Sequence, residues 1–180
     1  MKTKTIVLCA LFAALVCVFS VITIPTGIIP VTLGFFGIML TAVVLGAKKG
    51  VISVVVFILL GAVGLPVFSG FKGGVQVLFG PTGGYIWGYI PMTAIIGLIA
   101  SKLPENKWRA VLKMFLSCIA GIVVCYALGT VQFMAVQKMG LAKSLAACVI
   151  PFIPFDLAKA ALASYVGYTA RNALRRFYAK

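Results

Sequence analysis

The sequence has no histidine and only two acidic residues, Glu105 and Asp156, against 16 lysines and arginines. Without histidine there can be no Ser-His-Asp triad and no histidine metal site. Two carboxylates leave few acid–base mechanisms, so an enzyme is a poor reading. Charged residues make up 10% of the chain, where soluble proteins carry about 25%. Such a chain cannot cover a water-facing exterior. With 63% of its residues hydrophobic, lipid is the solvent that fits. The five cysteines, Cys9, Cys17, Cys118, Cys125 and Cys148, lie in apolar stretches with no Cys-x-x-Cys pair. They read as small buried hydrophobes, and no metal or cofactor is expected.

What is present is a series of apolar runs separated by short polar or Gly/Pro-rich breaks. The expected fold is all-α: one integral membrane domain over residues 1–180, a bundle of six transmembrane helices near 5–24, 31–46, 51–64, 85–100, 110–135 and 145–170. The first run resembles a signal peptide but lacks a small-x-small cleavage site, so it reads as an uncleaved helix ended by Pro25, Gly27 and Pro30. Lys48-Lys49-Gly50 reads as a tight turn. The second and third spans are short for a hydrocarbon layer of about 30 Å.

The basic residues sit in clusters between runs, which is a topology signal rather than a nucleic-acid surface. With the N-terminus inside, twelve fall on inner segments: Lys2, Lys4, Lys48, Lys49, Lys102, Lys107, Arg109, Lys113, Arg171, Arg175, Arg176 and Lys180. Only three, Lys72, Lys138 and Lys143, fall outside. Both termini are therefore expected in the cytoplasm.

Asp156 is the only carboxylate within an expected span, and Lys159 follows three residues on. On a helix the two lie about 60° apart, and Ala160, Ala163 and Gly167 continue the stripe. Small residues admit a close neighbouring helix, so the pair should face the bundle interior. A self-neutralising structural pair is the plainer reading. A polar grip on a ligand is the sharper one, because ionised groups inside membranes are costly. Pro151 and Pro154 should loosen the chain just before the pair.

The segment GLPVFSGFKGGVQVLFGPTGG, residues 64–84, is too apolar for an exposed loop and too rich in glycine for a helix. It is not a phosphate loop. After Gly80-Pro81-Thr82-Gly83-Gly84 stands Tyr85 where a Walker A loop needs lysine. It reads as a re-entrant segment or as a lid over a site, with Phe68, Phe71, Val75 and Leu78 beneath and Lys72 and Gln76 as polar contacts. Ala10 and Ala14 form a small-xxx-small pair in the first helix, for which ordinary packing is the plainer account.

Taken in order, Pro30-Val31-Thr32-Leu33, Leu45-Gly46-x-Lys48-Lys49-Gly50, Gly64-Leu65-Pro66-Val67-Phe68, Gly73-Gly74, Gly80-Pro81-Thr82-Gly83-Gly84-Tyr85 and Pro151-Phe152-Ile153-Pro154-x-Asp156-x-x-Lys159 resemble one family. It is the biotin-specific substrate-binding (S) component of energy-coupling factor (ECF) transporters, the BioY family. The resemblance spans nearly the whole chain. It implies a bacterial cytoplasmic-membrane protein that binds biotin near the outer face. A lid containing Gly73, Gly74, Gly80, Pro81, Thr82, Gly83 and Gly84 would close over the ligand. Asp156 and Lys159 would contact biotin, with Thr32, Phe68, Gln76 and Tyr85 around it. Ala10 and Ala14 would face a membrane-embedded coupling (T) subunit driven by two ABC ATPases. Relatives often carry glutamine where this chain has Gly34, and glycine where it has Phe155.

Biotin's chemistry suits these residues. A carboxylate can accept the ureido N–H groups; an ammonium can serve the ureido oxygen or the carboxylate tail. Phe68, Tyr85 and Trp87 could enclose the apolar ring. The competing reading is a stand-alone secondary carrier in which Asp156 cycles protons.

Overall fold

The computed structural model describes residues 3–24 and 31–178. Pro25, Gly27 and Pro30, expected to end the first helix, lie outside the described residues, as do Lys2 and Lys180. The chain is mostly helical. Helix α1 spans Thr3–Val21. A two-residue strand, β1 (Thr23–Ile24), pairs antiparallel with β2 (Val31–Thr32) in the register Thr23↔Thr32 and Ile24↔Val31. The expected second helix therefore begins three residues late.

That helix, α2, runs Gly34–Ala62 with one non-helical residue, Gly46, at φ 76° and ψ 179°. A Cβ added at Gly50 would meet Ala42 Cα at 3.5 Å and Thr41 O at 3.6 Å. In a straight helix residues eight apart stand about 12 Å apart. The two arms, residues 34–45 and 47–62, therefore fold back on each other. This corrects the expected turn at Lys48-Lys49-Gly50, which is helical. The reversal needs a backbone conformation open only to glycine. Gly50 instead brings the arms into contact. Residues 34–44 are buried throughout, so the first arm is apolar on every side, as a central helix should be.

A connection follows, holding an isolated bridge between Phe68 and Lys72 and one short helix, α3 (Val75–Leu78). Helix α4 (Gly83–Ile99) returns along the second arm and lies beside α5 (Lys107–Gln137). Asn106 caps α5, its side-chain oxygen accepting from Trp108 N at 3.0 Å and Arg109 N at 3.2 Å. The expected single helix at 145–170 is divided. Helix α6 covers Leu141–Cys148, a 3-10 turn covers Ile150–Phe152, and α7 runs Ile153–Tyr178. Pro151 and Pro154 lack the N–H that a continuous helix would require. Val149 O collects Phe152 N and Ile153 N instead, at 2.9 and 3.2 Å.

The elements alternate between two ends. At one end lie the start of α1 with Lys4, the Gly46 reversal with Lys48 and Lys49, the end of α4, and the start of α5 with Lys107 and Arg109. Arg171 of α7 ties that end together. Its Nη1 donates to Ala100 O at 2.6 Å and Val43 O at 3.3 Å, and its Nη2 to Ser101 O at 2.9 Å. The opposite end carries residues 64–82 and the start of α7, and it is where the chemistry lies.

Candidate functional site

Asp156 stands in the first turn of α7, where exposed N–H groups favour a carboxylate. It is 4% exposed. Lys159 Nζ donates to its Oδ1 at 2.9 Å, the i,i+3 pair read from the spacing. Tyr126, from α5, donates its hydroxyl to Oδ2 at 2.5 Å. The carboxylate is thus held at both oxygens, as a buried charge must be. Ala160 and Ala163 are fully buried, and a Cβ at Gly167 would collide with Val43 of the first arm. The small-residue stripe does bring α7 against the central helix.

The pair borders a cavity of about 880 Å³ of empty space, its open mouth included. The walls are aromatic. Phe35 sits edge-on to Tyr89 at 5.5 Å and 6.1 Å from Tyr126. Phe57 meets Phe68 edge-on at 5.5 Å. Tyr85 donates its hydroxyl to Cys148 O at 3.2 Å, satisfying a carbonyl that the break before α7 releases. Thr32 accepts Gly34 N at 2.7 Å and so caps the central arm. A side chain at Gly34 would press on Ser20 Oγ and Thr32 Oγ1, so the packing here has no room for the glutamine that the resemblance led one to expect.

The structure brings Asp156, Lys159, Tyr85, Phe68, Thr32 and Thr82 to one cavity. It does not bring Gln76, whose exposed amide donates to Gly73 O at 2.9 Å. Trp87 also lies outside the cavity and donates Nε1 to Leu78 O at 3.2 Å. Of the four residues expected beneath the connection, Phe68 and Leu78 are buried, but Phe71 is 70% and Val75 52% exposed. The glycines serve close approach: Gly74 N donates to Gly61 O at 2.7 Å, a Cβ at Gly73 would strike Leu65 O and Gly64 O, Gly83 abuts Leu78 O, and Gly84 abuts Leu128 and Gly129. Gln132 Nε2 fastens Leu78 O and Gly80 O, each at 2.9 Å, with Pro81 next in line. Ala10 and Ala14 are on the exposed face of α1. Tyr126, Tyr89, Phe35 and Ser69 were not singled out from sequence. The i,i+4 relation to Tyr85 was the available signal for Tyr89; Tyr126, one of several polar side chains in its span, had none.

An apolar helical bundle with, among the described residues, one enclosed ion pair beside an aromatic cavity is an architecture suited to a membrane substrate-binding component. It matches the crystal structure of the S-component for biotin from an ECF-type ABC transporter with a TM-score of 0.82 at 29% identity, over 95% of this chain and 92% of that one. The chain belongs to the BioY family, whose sequence profile matches residues 1–176. It is 40% identical over 163 residues to a biotin transporter BioY of Thermotoga maritima, covering 91% of this chain and 93% of that protein. A probable biotin transporter BioY of Pyrococcus horikoshii is 38% identical, with the same coverage. A biotin transporter BioY of Rhizobium etli is 37% identical over 93% of this chain and 92% of its own length.

Proposed function

We propose that this chain captures biotin as the S-component of an ECF-type, ATP-driven importer. The observation that carries the reading is the Tyr126–Asp156–Lys159 cluster bordering an aromatic cavity. Asp156 accepts the ureido N–H groups, and the aromatic walls hold the fused ring. The two arms of α2, with α1, α4, α5 and α7, make six crossings. The cavity end faces outward, because the Lys48–Lys49 pair, Lys102, Lys107, Arg109 and Arg171 lie at the other end. Both termini are then cytoplasmic, and residues 64–82 cover the ligand as a lid. The exposed Ala10–Ala14 stripe docks the T subunit, which two ABC ATPases drive; close helix approach in lipid depends on such small residues.

Titration of the purified protein with biotin, without ATP, tests the assignment. Trp87, bonded to the connection, should report binding by fluorescence. Equal affinity for thiamine or riboflavin would sink it. Uptake by vesicles holding this chain alone, with no ATPase module, would favour a stand-alone carrier.

A further inference from the structure

The connection between α2 and α4 has an apolar outer side. Val63 is 87% exposed, Phe71 70% and Phe79 69%, with Leu65 and Val75 about half exposed. Across residues 63–79 the exposed polar side chains are Lys72 and Gln76 alone. The connection between α4 and α5, at the basic end, is built the other way. There Ser101, Lys102, Glu105 and Asn106 are exposed, as suits a loop in water. A contiguous exposed apolar patch marks a surface that meets something other than water.

Residues 68–72 sharpen the contrast. They form a tight turn in which Phe68 N donates to Lys72 O at 2.9 Å. Phe71 takes φ 57° within it, a conformation open to glycine and strained for an aromatic residue. The ring that carries this strain lies mostly outside the protein, so the core does not offset it.

Depth points the same way. Residues 47–62 reach about 24 Å, and α4, with 17 residues, about 26 Å. The hydrocarbon layer is about 30 Å thick. The two helices start level, Gly97 abutting Ala47 beside the Gly46 reversal, where Lys48 and Lys49 mark one boundary of the layer. The connection joins their far ends, so it begins no higher than the other boundary. Its apolar side also continues that of the second arm, where Leu59 and Leu60 are exposed just before Val63.

We propose that the connection is inserted by its outer side, through Val63, Leu65, Phe71, Val75 and Phe79, into the lipid leaflet at the cavity end. Its partner is the boundary between headgroups and acyl chains, which apolar side chains enter by about 5–10 Å. The insertion holds whatever the cavity binds.

The test places the wild-type chain in phosphatidylcholine vesicles with a carbene-generating photolabel dissolved in the acyl chains. Peptide mapping should find label on residues 63–79 at a level comparable with the exposed face of α1 around Leu11 and Val18, while residues 101–106 stay unlabelled. Phe71→Trp and Phe79→Trp, each in a Trp87→Phe, Trp108→Phe background, give a second readout. Their emission should be blue-shifted, shielded from acrylamide, and quenched more by lipids brominated high on the acyl chain than by lipids brominated near its end. Label on α1 but none on residues 63–79, or acrylamide quenching at both positions without quenching by the brominated lipids, would overturn the insertion and leave the patch in water. Protection from the label together with a dimer by light scattering in detergent would overturn it in favour of a second copy of this chain.

Discussion

Replacing Asp156 by asparagine changes the chemistry of one atom and almost no volume. Oδ1 can still accept from Lys159, while the Oδ2 position becomes an NH2 facing Tyr126, whose hydroxyl must then accept instead of donate. The geometry survives, but the charge is lost. Lys159, with its side chain 11% exposed, is left with an unbalanced charge. Breaking one partner of a buried pair costs about 3–5 kcal/mol; because Lys159 borders the cavity and can recruit water there, the low end, about 3 kcal/mol, is expected. A hydrogen bond to a charged acceptor contributes about 1.5–3 kcal/mol, so biotin should bind roughly 10- to 150-fold more weakly. Lys159→Met strands the carboxylate with Tyr126 alone and should destabilise the protein comparably. The double variant removes both charges and should be about 1–3 kcal/mol more stable than the sum of the single losses. Thermal unfolding in detergent and biotin titration on all four proteins measure these quantities. Additive stability losses, or wild-type affinity in a folded Asp156→Asn protein, would refute the reasoning.

Tyr126→Phe removes the donor to Oδ2 while keeping the ring; biotin affinity should fall by about 10-fold, and unaltered binding would reduce the hydroxyl to filler. Gly61→Ala forces the Phe68 ring out of its seat, so melting should show a loss of about 1–3 kcal/mol together with weaker binding; an unchanged melting temperature would mean that the turn relocates freely. Ala10→Trp and Ala14→Trp place bulk on an exposed face. Co-purification with the coupling subunit and ATP-driven uptake should be lost while the isolated chain still binds biotin, whereas joint loss of stability and binding would reject docking through that face.

Asp156 and Lys159 were legible because an apolar chain offers an ionised group few places to go, and the three-residue spacing fixes their common face. The same periodicity marked Ala160, Ala163 and Gly167. The reversal in α2 was legible in kind but misplaced by a few residues. Polarity pointed to Lys48 and Lys49, but lysines at the end of an apolar arm can stay helical, and the glycine-only conformation fell at Gly46. Tyr126 was illegible because its partner lies 30 residues away and a single tyrosine carries no period. The connection after α2 has no repeat at all, so nothing in its sequence told that Phe68 turns inward, Phe71 outward, and Gln76 back onto Gly73.

The central arm of α2 is short: residues 34–45 reach about 18 Å in a layer of about 30 Å. Because residues 34–44 are buried throughout, the protein rather than lipid surrounds the body of this arm. Its missing length, some two turns, is the room in which Phe35 and Thr32 border the cavity. The vacant top of one helix is cavity space, and the helix itself is the stopper beneath it. The molecule is built as a cup, not a tunnel. Between that cavity and the basic end stands the buried arm itself.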